Sequence, residues 1–394
     1  MKTLNDIENL SKNCTGCCAC VDVCPTNAIS NLIGSDGFTY TTIENDKCVK
    51  CGKCYSICPI ENLNKNNSDQ YLYAAYSKQT SVRNSGSSGG IFELIASYCI
   101  DNGYYVCGAA FDNNILKHRL INKKEDLYPL LKSKYVQSST NGIYKKIFEL
   151  LKSGEKVFFC GTPCQVSALK NIVPDRYYEN LLLADIICHG VPSQKVFDMY
   201  IETLEKKYDG SVFDFSFRIK DNKYKHAHGY SFKLKNGKKV IVKNGIYTQS
   251  TFYNAFKKYL IFRESCYNCK YSTLNRTSDI TLADFWGIEK YEFSGNVDDG
   301  VSMIITNSNK GLTIFNEIKH LTIYEEFPLQ YGIDSNYCLT HSTVKPNNRD
   351  EIIKDLSTKG YEYTANKYFK EGLISKIYWV IPSKIRKIIR KLRG

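Results

Sequence analysis

The chain has 394 residues, enough for two or three domains, and its 43% hydrophobic and 24% charged content is that of an ordinary globular protein. No window reaches the roughly 18 uninterrupted apolar residues of a membrane span. The net charge of +13 is unevenly spread, with seven basic and no acidic residues from Lys376 to Gly394, so a nucleic-acid footprint over the whole surface is excluded.

The first 58 residues carry one cysteine pattern twice. Cys14, Cys17, Cys20 and Cys24 precede Pro25; Cys48, Cys51, Cys54 and Cys58 precede Pro59, each 34 residues after its counterpart. This is the spacing of two-cluster ferredoxins: three thiolates wrap one iron–sulfur cube and the fourth crosses to the other. One [4Fe-4S] cluster is therefore expected on Cys14, Cys17, Cys20 and Cys58, and a second on Cys48, Cys51, Cys54 and Cys24. Structural zinc also uses Cys-x2-Cys pairs, but as two pairs around one tetrahedron. Cys18 falls outside the pattern and reads as a packed small residue. The first residues lack a signal peptide's apolar core, so the clustered thiolates point to a reducing cytoplasm. This module spans 1–65, and its small size suits a fold held by metal clusters.

A polar linker follows at 61–70, and strand and helix signals then alternate. Strands are predicted at Tyr71–Tyr76, Tyr104–Phe111, Lys156–Cys160, Leu181–Cys188, Val212–Phe217, Tyr230–Leu234, Lys239–Val242, Ile280–Leu282 and Val301–Thr306. Helices are predicted at Ile91–Ile100, 124–132, 141–152, Pro163–Lys170, 194–207, 251–262 and 310–319. The alternation argues for an α/β (α+β) body on a mixed sheet. A boundary near 150–155 would divide it into an amino-terminal lobe, 66–153, and a carboxy-terminal lobe, 154–345, followed by a helical tail, 346–394.

Two segments of the body carry chemistry. The loop from Arg83 to Gly90 holds three serines and three glycines and enters the helix at Ile91. Free N–H groups at that helix start, and a backbone able to approach closely, suit a flavin's pyrophosphate or ring-edge carbonyls. In the second, a strand ends at Cys160, Thr162 is placed to cap a helix, Pro163 occupies its first position and Gln165 completes a capping box. Cys164 then lies in the first turn, where the dipole favours a thiolate. Cys188 ends the next buried strand, and carboxyl ends of strands are where ligands gather in open α/β sheets. With Cys266 and Cys269 these make four candidate ligands for a third cluster; the plain alternative is four packed cysteines. Cys99, Cys107 and Cys338 read as packed.

Several strings resemble the coenzyme F420 hydrogenase/dehydrogenase beta-subunit family: Ser88-Gly89-Gly90-Ile91-Phe92, Ser133-Lys134-Tyr135-Val136-Gln137, Gly161-Thr162-Pro163-Cys164-Gln165, Cys188-His189-Gly190-Val191-Pro192, Cys266-Tyr267-Asn268-Cys269 and the run from Ser278 to Gly287. Their order and spacing are similar too. The resemblance implies an FAD domain with a [4Fe-4S] cluster on Cys164, Cys188, Cys266 and Cys269. It also implies Ser88, Gly89 and Gly90 against FAD, and Lys134 and Tyr135 near the flavin or its substrate. The fused amino-terminal module sets this chain apart from the short form of the subunit, and the substrate does not carry over.

A linear relay is expected, from a ferredoxin or other redox partner through the clusters to FAD and a small-molecule substrate. Lys134 is suited to hold a flavin edge or an anionic substrate, and His189 to donate a proton; a solvated lysine and a structural histidine are the plain alternatives. Asp279 and Asp284 flank a strand and are suited to orient a ribityl hydroxyl or a loop backbone. His226 and His228 make no metal case. Residues 376–394 read as a basic amphipathic helix for an anionic surface such as the inner face of a membrane, or equally for docking on protein. Relatives of this kind fit cell-surface polysaccharide pathways. Two other functions fit the same residues: an electron-transfer subunit without its own substrate, and a scaffold with structural clusters.

Overall fold

The computed structural model describes residues 1–63, 68–220, 227–243 and 250–370. The amino-terminal module is built on a two-stranded antiparallel hairpin, β1 (Ile29–Ile33) and β2 (Thr39–Ile43), flanked by the short helices Ala19–Asp22 and Lys53–Ser56.

Eight strands form the central sheet of the body. They are β3 (Tyr71–Ser77), β4 (Tyr104–Asp112), β5 (Ile115–Ile121), β6 (Lys156–Gly161), β7 (Leu181–Ile186), β11 (Ile280–Asp284), β12 (Ser302–Thr306) and β13 (Thr322–Phe327), in the order β13-β3-β12-β11-β7-β6-β4-β5. Strands β4, β6, β7 and β11 run parallel, and the flanking pairs are antiparallel. A separate antiparallel sheet joins β8 (Val212–Ile219), β9 (Ala227–Leu234) and β10 (Lys239–Lys243). The mixed-sheet α/β class is thus as expected. The boundary near 150–155 does not part the body into two sheets, however. β3, from the supposed first lobe, lies between β12 and β13 from the second, and its Leu72, Ala74 and Ala75 are buried there.

The module is not a loosely tethered bead. Its Leu4, Ile7, Ile57 and Ile60 share one apolar core with Ile147, Leu151 and Val166 of the body. Ile147 and Leu151 lie on one face of the helix Ile143–Lys152 and are sealed from solvent, each burial stabilising by about 1.5–3 kcal/mol. That helix takes its cap from the other domain. The Asp22 carboxylate accepts the N–H groups of Gly142, Tyr144 and Lys145 at 2.8, 3.1 and 3.3 Å, satisfying donors that a helix start leaves unpaired.

Two predicted helices differ in the structure. Pro129 breaks the one at 124–132 into two short 3-10 turns, Lys124–Asp126 and Tyr128–Leu130. The one at 251–262 stops at Lys257, and Tyr259 takes a left-handed φ of 60°. The tail helix runs Arg349–Thr364 with a break at Gly360. Residues 376–394 and His226 lie outside the described residues. Among the described residues no helix is long and apolar enough to cross a membrane.

Candidate redox centres and cavity

The cysteines gather in three groups. Cys24 leaves its own run and joins Cys48, Cys51 and Cys54 around a small cavity of about 20 Å³. Cys58 makes the reverse crossing, and its thiol lies within electrostatic reach of Cys17 and Cys14, as does that of Cys20. Proline-linked crossing is therefore present in the geometry in both directions. The third group, Cys164, Cys188, Cys266 and Cys269, lines one cavity of about 60 Å³, so residues up to 105 positions apart in sequence converge. Among the described residues no three His, Cys, Asp or Glu side chains close around a single metal ion; a four-iron cube holds its thiolates at separate corners and asks for wider spacing.

The donor chemistry of these groups suits a cationic iron core. Burial pushes the Cys17 thiol up to about 11 and those of Cys58 and Cys266 up to about 12; Cys164 and Cys188 are raised further, chiefly by burial with their neighbouring thiols adding to it. Metal binding deprotonates such thiols outright. Backbone N–H groups already point at several sulfurs: Gly16 at Cys14 (3.4 Å), Ala28 at Cys24 (3.2 Å) and Gly190 at Cys188 (3.4 Å). At Cys24 burial raises the thiol, and the amides of Thr26 and Ala28 outweigh it to leave it below its ordinary value. Cys18 is buried and donates to the Gly16 carbonyl and Asn31.

Two cysteines of the third group are carried by a helix start and a strand end. Pro163 opens the helix Pro163–Ile172 after β6, and Gln165 Oε1 accepts from both Thr162 N and Thr162 Oγ1 at 3.0 Å. Cys188 follows β7. Both lie at carboxyl ends of parallel strands, the crevice side of such a sheet.

On the same side opens a cavity of about 470 Å³. Ser88, Gly90, Lys134, Tyr135 and His189 line it. Cys188, His189 and Gly190 also wall the third cysteine group, so the two cavities share a partition. Gly90, at φ 83°, caps the helix Ile91–Asp101, and a side chain there would strike the Val82 carbonyl at 2.6 Å. The loop is thus pressed tightly at the cavity edge.

Lys134 is not a solvated surface lysine. Burial pulls it down to about 7, and its Nζ donates to the Leu131 carbonyl at 2.6 Å and to that of Lys132 at 3.2 Å. His189 is lowered by burial and has Nδ1 3.5 Å from Cys338 Sγ. The Tyr135 hydroxyl accepts from Arg218 at 3.1 Å.

Two expected contacts are placed elsewhere. Gly89 faces the sheet: its N–H donates to Ser302 Oγ at 2.8 Å, and a Cβ there would collide with the Ala75 carbonyl. Asp279 does not line the cavity. Its carboxylate accepts Leu183 N at 2.8 Å and Ser308 Oγ at 2.6 Å, tying β7 to the helix Asn309–Ile318. Asp284 does line it, ion-paired with buried Arg218 at 3.1 Å. Arg218 and His118 carry no signal in the sequence. The imidazole of His118 is buried on Phe159, with its nitrogens 2.9 Å from Ser138 Oγ and 3.2 Å from the Cys160 carbonyl. A lone Arg or His on a strand looks like any solvent-facing residue, and β5, which carries His118, is a short run of mixed apolar and basic residues.

Two segments of the chain match known families. Residues 154–330 match the family model for the carboxy terminus of the coenzyme F420 hydrogenase/dehydrogenase beta subunit, and residues 13–62 match the 4Fe-4S dicluster domain. A coenzyme F420-dependent sulfite reductase of Methanocaldococcus jannaschii is 25% identical over 176 residues, covering 43% of this chain and 26% of that protein. A ferredoxin-like protein in the nif region of Azotobacter vinelandii is 43% identical over 56 residues, covering 13% of this chain and 55% of that protein. The chain thus spans about a quarter of the first relative and about half of the second. Among solved structures, a chain of the F420-reducing [NiFe] hydrogenase complex from Methanosarcina barkeri superposes loosely, with a TM-score of 0.43 and 16% identity over 77% of this chain and 92% of that one. Residues 154–330 are thus similar to the carboxy-terminal part of the coenzyme F420 hydrogenase/dehydrogenase beta subunit, and they follow a segment, 13–62, that matches a 4Fe-4S dicluster domain.

Proposed function

We propose that this chain is an iron–sulfur flavoprotein oxidoreductase in which three [4Fe-4S] clusters feed one FAD. The outer cluster is held by Cys24, Cys48, Cys51 and Cys54, the inner by Cys14, Cys17, Cys20 and Cys58, and the third by Cys164, Cys188, Cys266 and Cys269. Iron–sulfur clusters pass electrons singly, and a flavin turns single electrons into a hydride.

The observation that carries this reading is the serial arrangement of the sites. Cys51 is exposed, whereas Cys17, Cys20 and Cys58 are buried, so the outer group is where a soluble redox partner gains access. The thiols of Cys17 and Cys164 lie within electrostatic reach of each other. Between their domains Tyr271 donates to the Pro59 carbonyl at 2.6 Å and meets Ser167 Oγ at 2.9 Å, bolting the inner group to the third. The third group then shares the wall Cys188-His189-Gly190 with the large cavity.

In that cavity the Ser88 and Gly90 edge supports the flavin. Lys134, whose pKa burial brings down to about 7, faces the flavin edge or an anionic substrate. His189 stands on the partition between the third cluster and the cavity, where a proton can follow an electron. Tyr135, held by Arg218, lines the substrate side. An electron-transfer subunit without its own substrate shares all of this up to the flavin.

Anaerobic purification with iron, sulfide and flavin quantitation tests the reading. About twelve irons and one FAD per chain are expected for three four-iron cubes. About eight irons would remove the third cluster, and a preparation without flavin would remove the cavity assignment. Turnover of a small molecule by the isolated chain separates the enzyme from the subunit.

A further inference from the structure

We infer that Thr343 donates a hydrogen bond to the third cluster and sets its reduction potential above what the four thiolates alone would give. This rests on the third-cluster reading. Thr343 is 2% exposed, and its Oγ1 is buried with no hydrogen-bond partner among the described residues. It lines the same cavity as Cys164, Cys188, Cys266 and Cys269. Buried hydroxyls are nearly always paired, so an orphan facing a ligand cavity marks where a ligand atom accepts. Asn114, Asp185, Tyr200, Thr277 and Thr306 also carry unpaired buried oxygens, but none of them borders this cavity.

The hydroxyl next to Cys164 is already engaged. Thr162 Oγ1 lies 3.3 Å from Cys164 Sγ, yet it donates to Gln165 Oε1 at 3.0 Å. Thr343 keeps its proton free for a cluster sulfur. Its position is enforced from both sides. Cys338 Sγ packs on His189, Ser342 Oγ donates to the Tyr267 carbonyl at 3.1 Å, and Lys345 pairs with Glu264 at 2.9 Å. Tyr267 sits between Cys266 and Cys269, so the strap 338–345 is fastened to the very loop that supplies two thiolates.

A donor aimed at a cluster stabilises the extra negative charge of its reduced form and so raises its potential. The third cluster is the last station before the cavity, so this bond biases electrons toward it.

The test uses the full chain, purified anaerobically, with Thr343→Val and Thr343→Ser. Iron is counted and the clusters are titrated against potential under electron paramagnetic resonance. Thr343→Val, which keeps the shape and removes the donor, is expected to retain full iron and lower the midpoint of one cluster, leaving the other two unmoved. Thr343→Ser is expected to match the parent. Full iron with all three midpoints unmoved in Thr343→Val overturns the inference and leaves the third cluster standing. About eight irons in the parent overturns the third cluster itself, and the inference with it. Should Thr343→Val lose iron, Thr343→Ala against Thr343→Ser carries the test: a lowered midpoint in Ala alone supports the donor, and equal midpoints overturn it.

Discussion

Arg263 Nε donates to the carbonyl of Cys14 at 2.6 Å, so a buried guanidinium of the body grips the first cysteine of the amino-terminal module. The same group donates to the Thr39 carbonyl at 2.8 Å and to Gln137 Oε1 at 3.2 Å, and lies 4.6 Å above the Tyr40 ring. Only 1% of the residue is exposed. Three positions later comes Cys266, so one side chain links the inner cysteine group to the third. Arg263→Met would leave the Cys14 and Thr39 carbonyls unpaired in the interior, a cost of roughly 2–5 kcal/mol. Gly16→Ala acts in the same place: φ is +67° there, and a Cβ would stand 2.6 Å from Arg263 Nη1. Both variants are expected to lower the unfolding midpoint and to speed amide exchange across residues 14–43. Unchanged exchange in that segment would show that the shared apolar core alone holds the module.

The outer cysteine group presents Cys51 to solvent beside exposed Lys50, Lys53 and Val49. A small apolar spot among cations suits an acidic one-electron carrier. The double change Lys50→Glu and Lys53→Glu should cut the rate of reduction by a purified acidic ferredoxin by about tenfold or more at low salt, and flatten its salt dependence. Reduction by dithionite, which needs no docking, should be unaffected. Equal slowing with both reductants would mean that the cluster itself was damaged.

Much of this was legible in the sequence, for identifiable reasons. The cysteine runs carry their own geometry, and Thr162, Pro163 and Gln165 announce a helix start whatever surrounds them. Strands such as Lys156–Gly161 and Leu181–Ile186 are continuous apolar runs because they are covered on both faces. The pairing of β3 with β12 and β13 was not legible, since nothing local records which strand a strand will join. Nor was the fate of Asp279. An aspartate beside a strand reads alike whether it faces a ligand or a neighbouring backbone, and only tertiary placement decides. His118 was hidden for the same reason: one histidine in the alternating run Ile115–Ile121 is indistinguishable from a solvent-facing residue until Phe159 is laid against it.

His118 also predicts a pH response. Burial first, with Lys134 adding to it, brings its pKa down to about 4 from the ordinary 6.5, although the Cys160 carbonyl opposes the shift. Between those values the unfolded chain binds the proton and the folded one does not. Stability therefore rises with pH through this window; it is fully present above about 6.5 and lost as pH falls toward 4. The shift amounts to roughly 3 kcal/mol, of which about 2 kcal/mol falls between pH 6.5 and pH 5. His118→Gln should shrink the drop in unfolding midpoint between pH 7 and pH 5 relative to the parent. An identical drop in both would assign the acid sensitivity to other groups.

The last prediction separates structural from cofactor roles at two residues that the sequence treats alike. Asp279 ties β7 to the helix Asn309–Ile318 through Leu183 N and Ser308 Oγ, and its own carbonyl accepts Asn307 N at 2.8 Å. Its carboxylate also faces the start of that helix, where negative charge is favoured. Asp279→Ala should cost about 2 kcal/mol of stability by stranding two donors, with flavin per folded chain unchanged. Lys134 lines the large cavity and donates to the backbone carbonyls of Leu131 and Lys132. On the flavin reading proposed above, Lys134→Met removes a cavity amine and should lower the bound flavin with a smaller change in unfolding midpoint. Visible absorbance per folded chain after anaerobic purification, read beside thermal unfolding, distinguishes the two. Loss of flavin in Asp279→Ala with retention in Lys134→Met would reverse the assignment, and would put the flavin on the β7 side of the sheet instead of in the cavity.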